Sequence, residues 1–79
     1  MSTSRPQFVM VTTLDPNSLK VDGLGLFKPK WVDSVWFKAS PDGQRYVHVE
    51  FVDGDFKFLD MNEYQFMELV EAIDEADLD

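Results

Sequence analysis

The sequence predicts an α+β domain: an antiparallel β-sheet, a three-stranded meander plus an N-terminal strand, packed on one C-terminal α-helix. Three observations carry this. Residues 31–59 fall into three β-rich, largely alternating runs, separated by Ser40-Pro41-Asp42-Gly43 and by Asp53-Gly54. The first separator favours a type I turn ending in a left-handed glycine, the second a two-residue hairpin. Phe66, Leu69, Val70 and Ile73 recur at three- and four-residue spacing, the stripe of an amphipathic helix. Finally, 44% hydrophobic content, eleven aromatics and no cysteine describe a chain that folds on an apolar core rather than on disulfides. Seventy-nine residues make a single domain, residues 1–79, near the lower size limit for an independent core.

In chain order, residues 1–6 are small and polar and are expected to fray. Residues 7–13 (QFVMVTT) form the N-terminal strand. Both of its faces are apolar, which fits a strand covered on both sides or an edge strand open to another chain. Residues 14–30 read as an irregular loop, with one short helical turn at 15–19 where Asp15 precedes Pro16. Gly23, Gly25 and Pro29 punctuate the rest. Residues 31–39, 44–52 and 55–59 are the meander strands. The helix is expected to start at Asp60, with Glu63 completing a capping box. Met67 and Tyr64 are expected to flank its apolar stripe. The helix should fray near Ala76, leaving 76–79 as an acidic tail.

Alternation places Val47, Val49 and Phe51 on one face of the sheet, with Phe56, Phe58, Val35 and Phe37 beside them, facing the helix. The other face takes Trp36, Lys38, Tyr46, His48, Glu50, Val52 and Lys57. Aromatics interleaved with Lys and His can stack bases, or Trp36 and Tyr46 can pack beneath the N-terminal strand or the loop.

The charge is placed unevenly. Residues 1–59 hold seven acids and seven bases; residues 60–79 hold eight acids and neither Lys nor Arg. The net charge of -8 therefore belongs to the helical segment. Glu63, Glu68, Glu71, Asp74, Glu75 and Asp77 fall largely off the apolar stripe. Acids in a last helical turn oppose the helix dipole by about 0.3–1 kcal/mol each, which suggests that they serve a partner. Eight carboxylates over twenty helical residues give one charge per about 3.8 Å, near the roughly 3.4 Å of a single nucleic-acid strand. Such a field disfavours direct binding to nucleic acid or anionic lipid and favours a basic protein partner, or serves solubility alone.

No catalytic pattern emerges. One histidine, His48, with Glu50 two residues on, is too small a set for zinc. Ser18, Ser34 and Ser40 lack a nucleophile-elbow context. Asp53-Gly54-Asp55 lacks the further ligands of a calcium loop, and Gly23-Leu24-Gly25 lacks the spacing of a phosphate loop. The expectation is a non-enzyme with no cofactor, metal or membrane span. The start of the chain is unlike a signal peptide, so a cytoplasmic location is expected.

Ser34, Val47-His48-Val49-Glu50-Phe51, Gly54 and Phe56-Lys57-Phe58 give residues 32–72 a resemblance to the KTSC domain. It implies a β-meander followed by a helix, with no site residues carried over. In type, the small size and concentrated acidity resemble phage-encoded inhibitors of host defence, the anti-CRISPR proteins and DNA mimics. The expected function is an acidic protein-binding module, an inhibitor or adaptor engaging a basic, nucleic-acid-handling protein. Its contact residues would be Glu63, Glu68, Glu71, Asp74, Glu75 and Asp77, with Trp36 and Tyr46 as a second, aromatic patch. A sheet-based nucleic-acid domain and a homodimer, joined through residues 7–13 or the aromatic face, are the alternatives.

Overall fold

The computed structural model describes residues 8–77. The expected fraying of 1–6 and the last two residues of the acidic tail lie outside them. The fold is α+β: one antiparallel sheet of five strands with a single C-terminal helix. The strands are β1 (Val9–Leu14), β2 (Val21–Phe27), β3 (Val32–Ala39), β4 (Arg45–Phe51) and β5 (Phe56–Leu59), in spatial order β2-β1-β5-β4-β3. The helix α1 spans Glu63–Asp77.

The fifth strand corrects the expected irregular loop at 14–30. Asp15 accepts hydrogen bonds from the Asn17 and Ser18 amides at 2.7 and 3.3 Å, and the Leu19 amide donates to the Asp15 carbonyl at 2.7 Å. This closes a tight connection after β1, with Leu19 at φ 60°. The chain then returns as β2, pairing from Leu14↔Val21 to Val9↔Phe27. Two glycines hide the strand from a propensity reading, because glycine weakens strand preference without forbidding it. Consequently β1 is an interior strand between β2 and β5, and the free edges are β2 and β3.

A second correction concerns the hairpin between β4 and β5. The Phe51 amide donates to Asp55 O at 2.9 Å, the Gly54 amide donates to Phe51 O at 3.0 Å, and Gly54 sits at φ 93°. The connection is thus three residues, 52–54, and not the two-residue Asp53-Gly54 turn. One extra residue moves the register by one, which sends every following side chain to the opposite face. Val47 pairs with Leu59, His48 with Phe58, Val49 with Lys57 and Glu50 with Phe56. Phe56 and Phe58 therefore leave the helix-side face, and Lys57 and Leu59 take their places. The Ser40–Gly43 turn does follow expectation: Gly43 has φ 93° and its amide donates to Ser40 O at 2.9 Å.

The core gathers Val11, Phe27, Val47, Val49, Leu59, Met61 and Leu69, with Val35, Phe37, Phe66 and Ile73 packed against it. Val47, Val49 and Leu59 are fully buried. Phe66 of α1 stacks on Phe37 of β3, ring centroids 5.4 Å apart. Met67 and Tyr64, expected on the flank of the stripe, are instead exposed. The helix cap lies two residues later than expected. Asn62 Oδ1 accepts from the Gln65 amide at 2.8 Å while Gln65 Oε1 accepts from the Asn62 amide at 3.0 Å. This reciprocal pair is a capping box in its own right, so Asp60 and Glu63 are not the capping residues. At the other end α1 runs through Ala76 to Asp77.

The sheet curls over its helix side. Phe27 on β2 meets Phe51 on β4 edge to face at 5.3 Å, although β1 and β5 lie between their strands. A 3-10 turn at Pro29–Trp31 carries the chain from the β2 edge to the β3 edge. It is tied down where the Val52 amide donates to Trp31 O at 2.8 Å. The helix α1 packs on this turn and on β3.

Candidate protein-binding site

The carboxylates come first. Glu63, Glu68, Glu71, Asp74 and Glu75 are exposed on α1. At 100° per residue they occupy an arc of about 140° that avoids the arc of Phe66, Leu69, Val70 and Ile73. Asp77 is the last residue of the helix. Among the described residues, none of Glu63, Glu68, Glu71 or Asp74 pairs with a Lys or Arg, and the last turn of α1 holds no base. No described ion pair with a Lys or Arg requires the charges of Glu63, Glu68, Glu71 or Asp74.

Trp36 and Tyr46 lie on the other side of the sheet. Trp36 pairs with His48 and Lys38 with Tyr46 across β3 and β4, alternate to the Val47 and Val49 that face the helix. The acidic and aromatic patches expected as one binding set are thus separated by the thickness of the sheet. The aromatic patch is also larger than expected, because the three-residue hairpin adds Phe56 and Phe58 to it. His48 sits at its centre, with ring centroids 5.0 Å from Trp36, 5.6 Å from Phe56 and 5.1 Å from Phe58. Tyr46 stacks on Phe58 at 5.1 Å. These rings cover one another, and Trp36 (41% exposed) and Phe56 (45%) present the accessible surface. Leu14 of β1, only 4% exposed, pairs with Phe58 and borders the cluster.

The chemistry of His48 follows from its neighbours. Lys38 Nζ lies 3.4 Å from Nδ1. An ammonium only donates, so this long contact favours the tautomer with Nδ1 unprotonated and the proton on Nε2. Nε2 faces Glu50 Oε2 at 3.5 Å, too far for a good hydrogen bond, and has no closer partner among the described residues. Burial among the rings lowers the His48 pKa below 6.5, and the Lys38 charge lowers it further; Glu50 pulls in the opposite direction. The neutral ring is therefore the resident form at neutral pH, serving as an aromatic spacer with one anchored nitrogen.

A third feature, unforeseen in the sequence, is a cleft of about 450 Å³ on the concave side. Val11, Phe27, Phe51 and Leu59 line its interior, and Trp31, Asp53, Asp55 and Lys57 its rim. It exists partly because Gly25 has no side chain: a Cβ there would stand 3.2 Å from Thr13 Cγ2. The signal was the alternation Gly23-Leu24-Gly25-Leu26, which becomes readable only once 21–27 is known to be a strand.

No described helix is long and apolar enough to cross a membrane. No family model, no curated protein and no solved structure matches the chain.

Proposed function

We infer that the protein is an acidic protein-binding module, an inhibitor or adaptor that presents α1 to the basic surface of a nucleic-acid-handling protein. The observation that carries this reading is the carboxylate arc of α1. Glu63, Glu68, Glu71, Asp74 and Glu75 are exposed in a segment that has no compensating base. They span about 18 Å of helix at 1.5 Å per residue, so a partner groove that tracks one nucleic-acid strand would meet a charge spacing of the same order. The helix is held rigidly by its apolar stripe, so binding costs little ordering of the acids' backbone. The small, cysteine-free, acidic character fits an anti-defence protein or DNA mimic of the kind phages encode.

The test uses the full chain and a triple variant, Glu68→Gln, Glu71→Gln and Asp74→Asn, each tagged and used to capture partners from the native host. The expected result is a basic nucleic-acid-binding protein retained by the parent and lost by the variant. Its affinity should fall at least tenfold between about 50 and 200 mM salt, as for several charge contacts. Retention by both proteins, or an affinity indifferent to salt, would refute the reading.

The added Phe56 and Phe58 favour a second reading, an oligonucleotide stacked on the aromatic face. Its support is weaker, because among the described residues Lys38 is the one cation beside these rings, over Trp36, and the overall field repels phosphate. It requires single-stranded oligonucleotide binding that disappears in Trp36→Ala with the fold intact.

A further inference from the structure

The sheet has two unlike edges. At the β3 edge the register with β4 breaks between Val32 and Ser34, and Asp33 and Lys38 place charges along the strand. Bulges and charges are how sheets keep an edge from pairing with another chain. The β2 edge has its own bulge at Asp22, but from Gly23 to Phe27 it carries neither bulge nor charge. These five residues are uncharged and contain no proline. Their register with β1 runs unbroken from Gly23↔Thr13 to Phe27↔Val9. Leu24 and Leu26 stand 73% and 60% exposed on the open face beside Met10 of β1.

We propose that β2 is a self-pairing edge, at which two copies of this chain join antiparallel about a two-fold axis through Gly25. A two-fold axis perpendicular to the sheet keeps each side chain on its own face, so the strands must cross on a residue rather than between residues. Centring on Gly25 sets Leu24 against Leu26 of the other copy, twice by symmetry. It also sets Asp22 against Lys28 of the other copy, again twice. Leu24 and Leu26 share the open face; Asp22, at the bulge, and Lys28, just past the strand, flank them. Other centres lose this match. Crossing at Leu24 opposes Asp22 to Leu26 and Lys20 to Lys28; crossing at Leu26 opposes Leu24 to Lys28. Only the Gly25 crossing sets both leucines against leucines.

The global charge permits the arrangement. The acids of α1 lie on the sheet's other face, while the hairpin of β1 and β2 carries a near balance of charge, with Asp15, Lys20, Asp22 and Lys28. Lys28 is held in place, its Nζ 5.5 Å from the Phe8 ring centre and 5.8 Å from that of Trp31. The proposal is independent of the acidic-helix function, and salt separates the two. Screening a -8 chain strengthens association of like copies, whereas it weakens a charged partner's grip.

The experiment is sedimentation equilibrium of the full chain from micromolar to near-millimolar concentration, with circular dichroism to verify each variant's fold. The parent should show a monomer–dimer equilibrium. Leu24→Asp should weaken it more than about a hundredfold, through like charges on both sides of the axis and the loss of both leucine pairs. Asp22→Lys and Lys28→Asp should each weaken it about tenfold, and the two together should restore it to within about threefold of the parent. A monomer mass at every concentration would overturn the proposal. So would a dimer indifferent to Leu24→Asp, which would place the interface on the aromatic face. Failure of the double exchange to restore association would overturn the Gly25 register.

Discussion

His48 shows how much one residue's role depends on its neighbours. In the sequence it was a lone histidine two residues from a glutamate. In the fold its ring fills the middle of an aromatic cluster, and its pKa is held below 6.5 by burial and by Lys38. The unfolded chain therefore binds a proton that the folded chain refuses. Stability from this group is fully present above about pH 6.5 and is lost as pH falls toward the folded-state pKa. Urea unfolding of the parent should show falling stability from pH 7.5 to 5.5. His48→Phe, which keeps the aromatic packing and cannot titrate, should show a flatter profile over that range. An unchanged slope in the variant would assign the pH dependence to the carboxylates. The presence of Trp36, Tyr46 and His48 on one face was legible from strict alternation in β3 and β4. The membership of Phe56 and Phe58 was not, because it turns on one loop residue.

At the scale of elements, the outcome divides along a physical line. Elements whose signals are periodic over many residues, α1 and β4, were legible nearly whole. Elements whose definition rests on a local hydrogen bond were displaced. The cap is the clearest case. Asp60 and Glu63 have the right residue types and spacing, but Asp60 is committed to the sheet, where its amide donates to Thr12 O at 2.8 Å. That leaves Asn62 and Gln65 to exchange the capping bonds. Asn62→Ala should therefore cost about 1 kcal/mol in chemical denaturation, and Asp60→Ala well under half of that. The strand β2 was missed for a different reason. Its partner β1 supplies the ladder, and glycine strands take their conformation from such a neighbour rather than from side-chain preference.

At the scale of the whole molecule, charge and packing are segregated. Sheet and helix share one apolar interior, while the acids crowd the outer arc and last turn of α1. The acids at that end, with no base in the last turn, oppose the helix dipole, and the net charge repels itself. Thermal stability should rise by a few degrees as salt increases from about 10 to 200 mM. Asp74→Lys should raise the melting temperature at low salt by up to a few degrees and reduce that salt response. The same variant should weaken capture of a basic partner. A substitution that stabilises the fold while impairing binding is the expected mark of a residue kept for function. A melting temperature unmoved by Asp74→Lys would mean that the acidic end is well solvated and costs the fold nothing.

The break in register between Val32 and Ser34 also has a bearing on how large an assembly can grow. Identical edges on both sides of a sheet would let copy add to copy without limit, and the product would be a fibre. Here each edge strand has a bulge near one end, but β2 keeps the uncharged run from Gly23 to Phe27 while β3 carries Asp33 and Lys38. A pairing that uses the β2 edge of both copies consumes it, leaving only β3 edges facing outward. With the proposed pairing, growth would stop at a particle of two, without any covering element on the β3 edge.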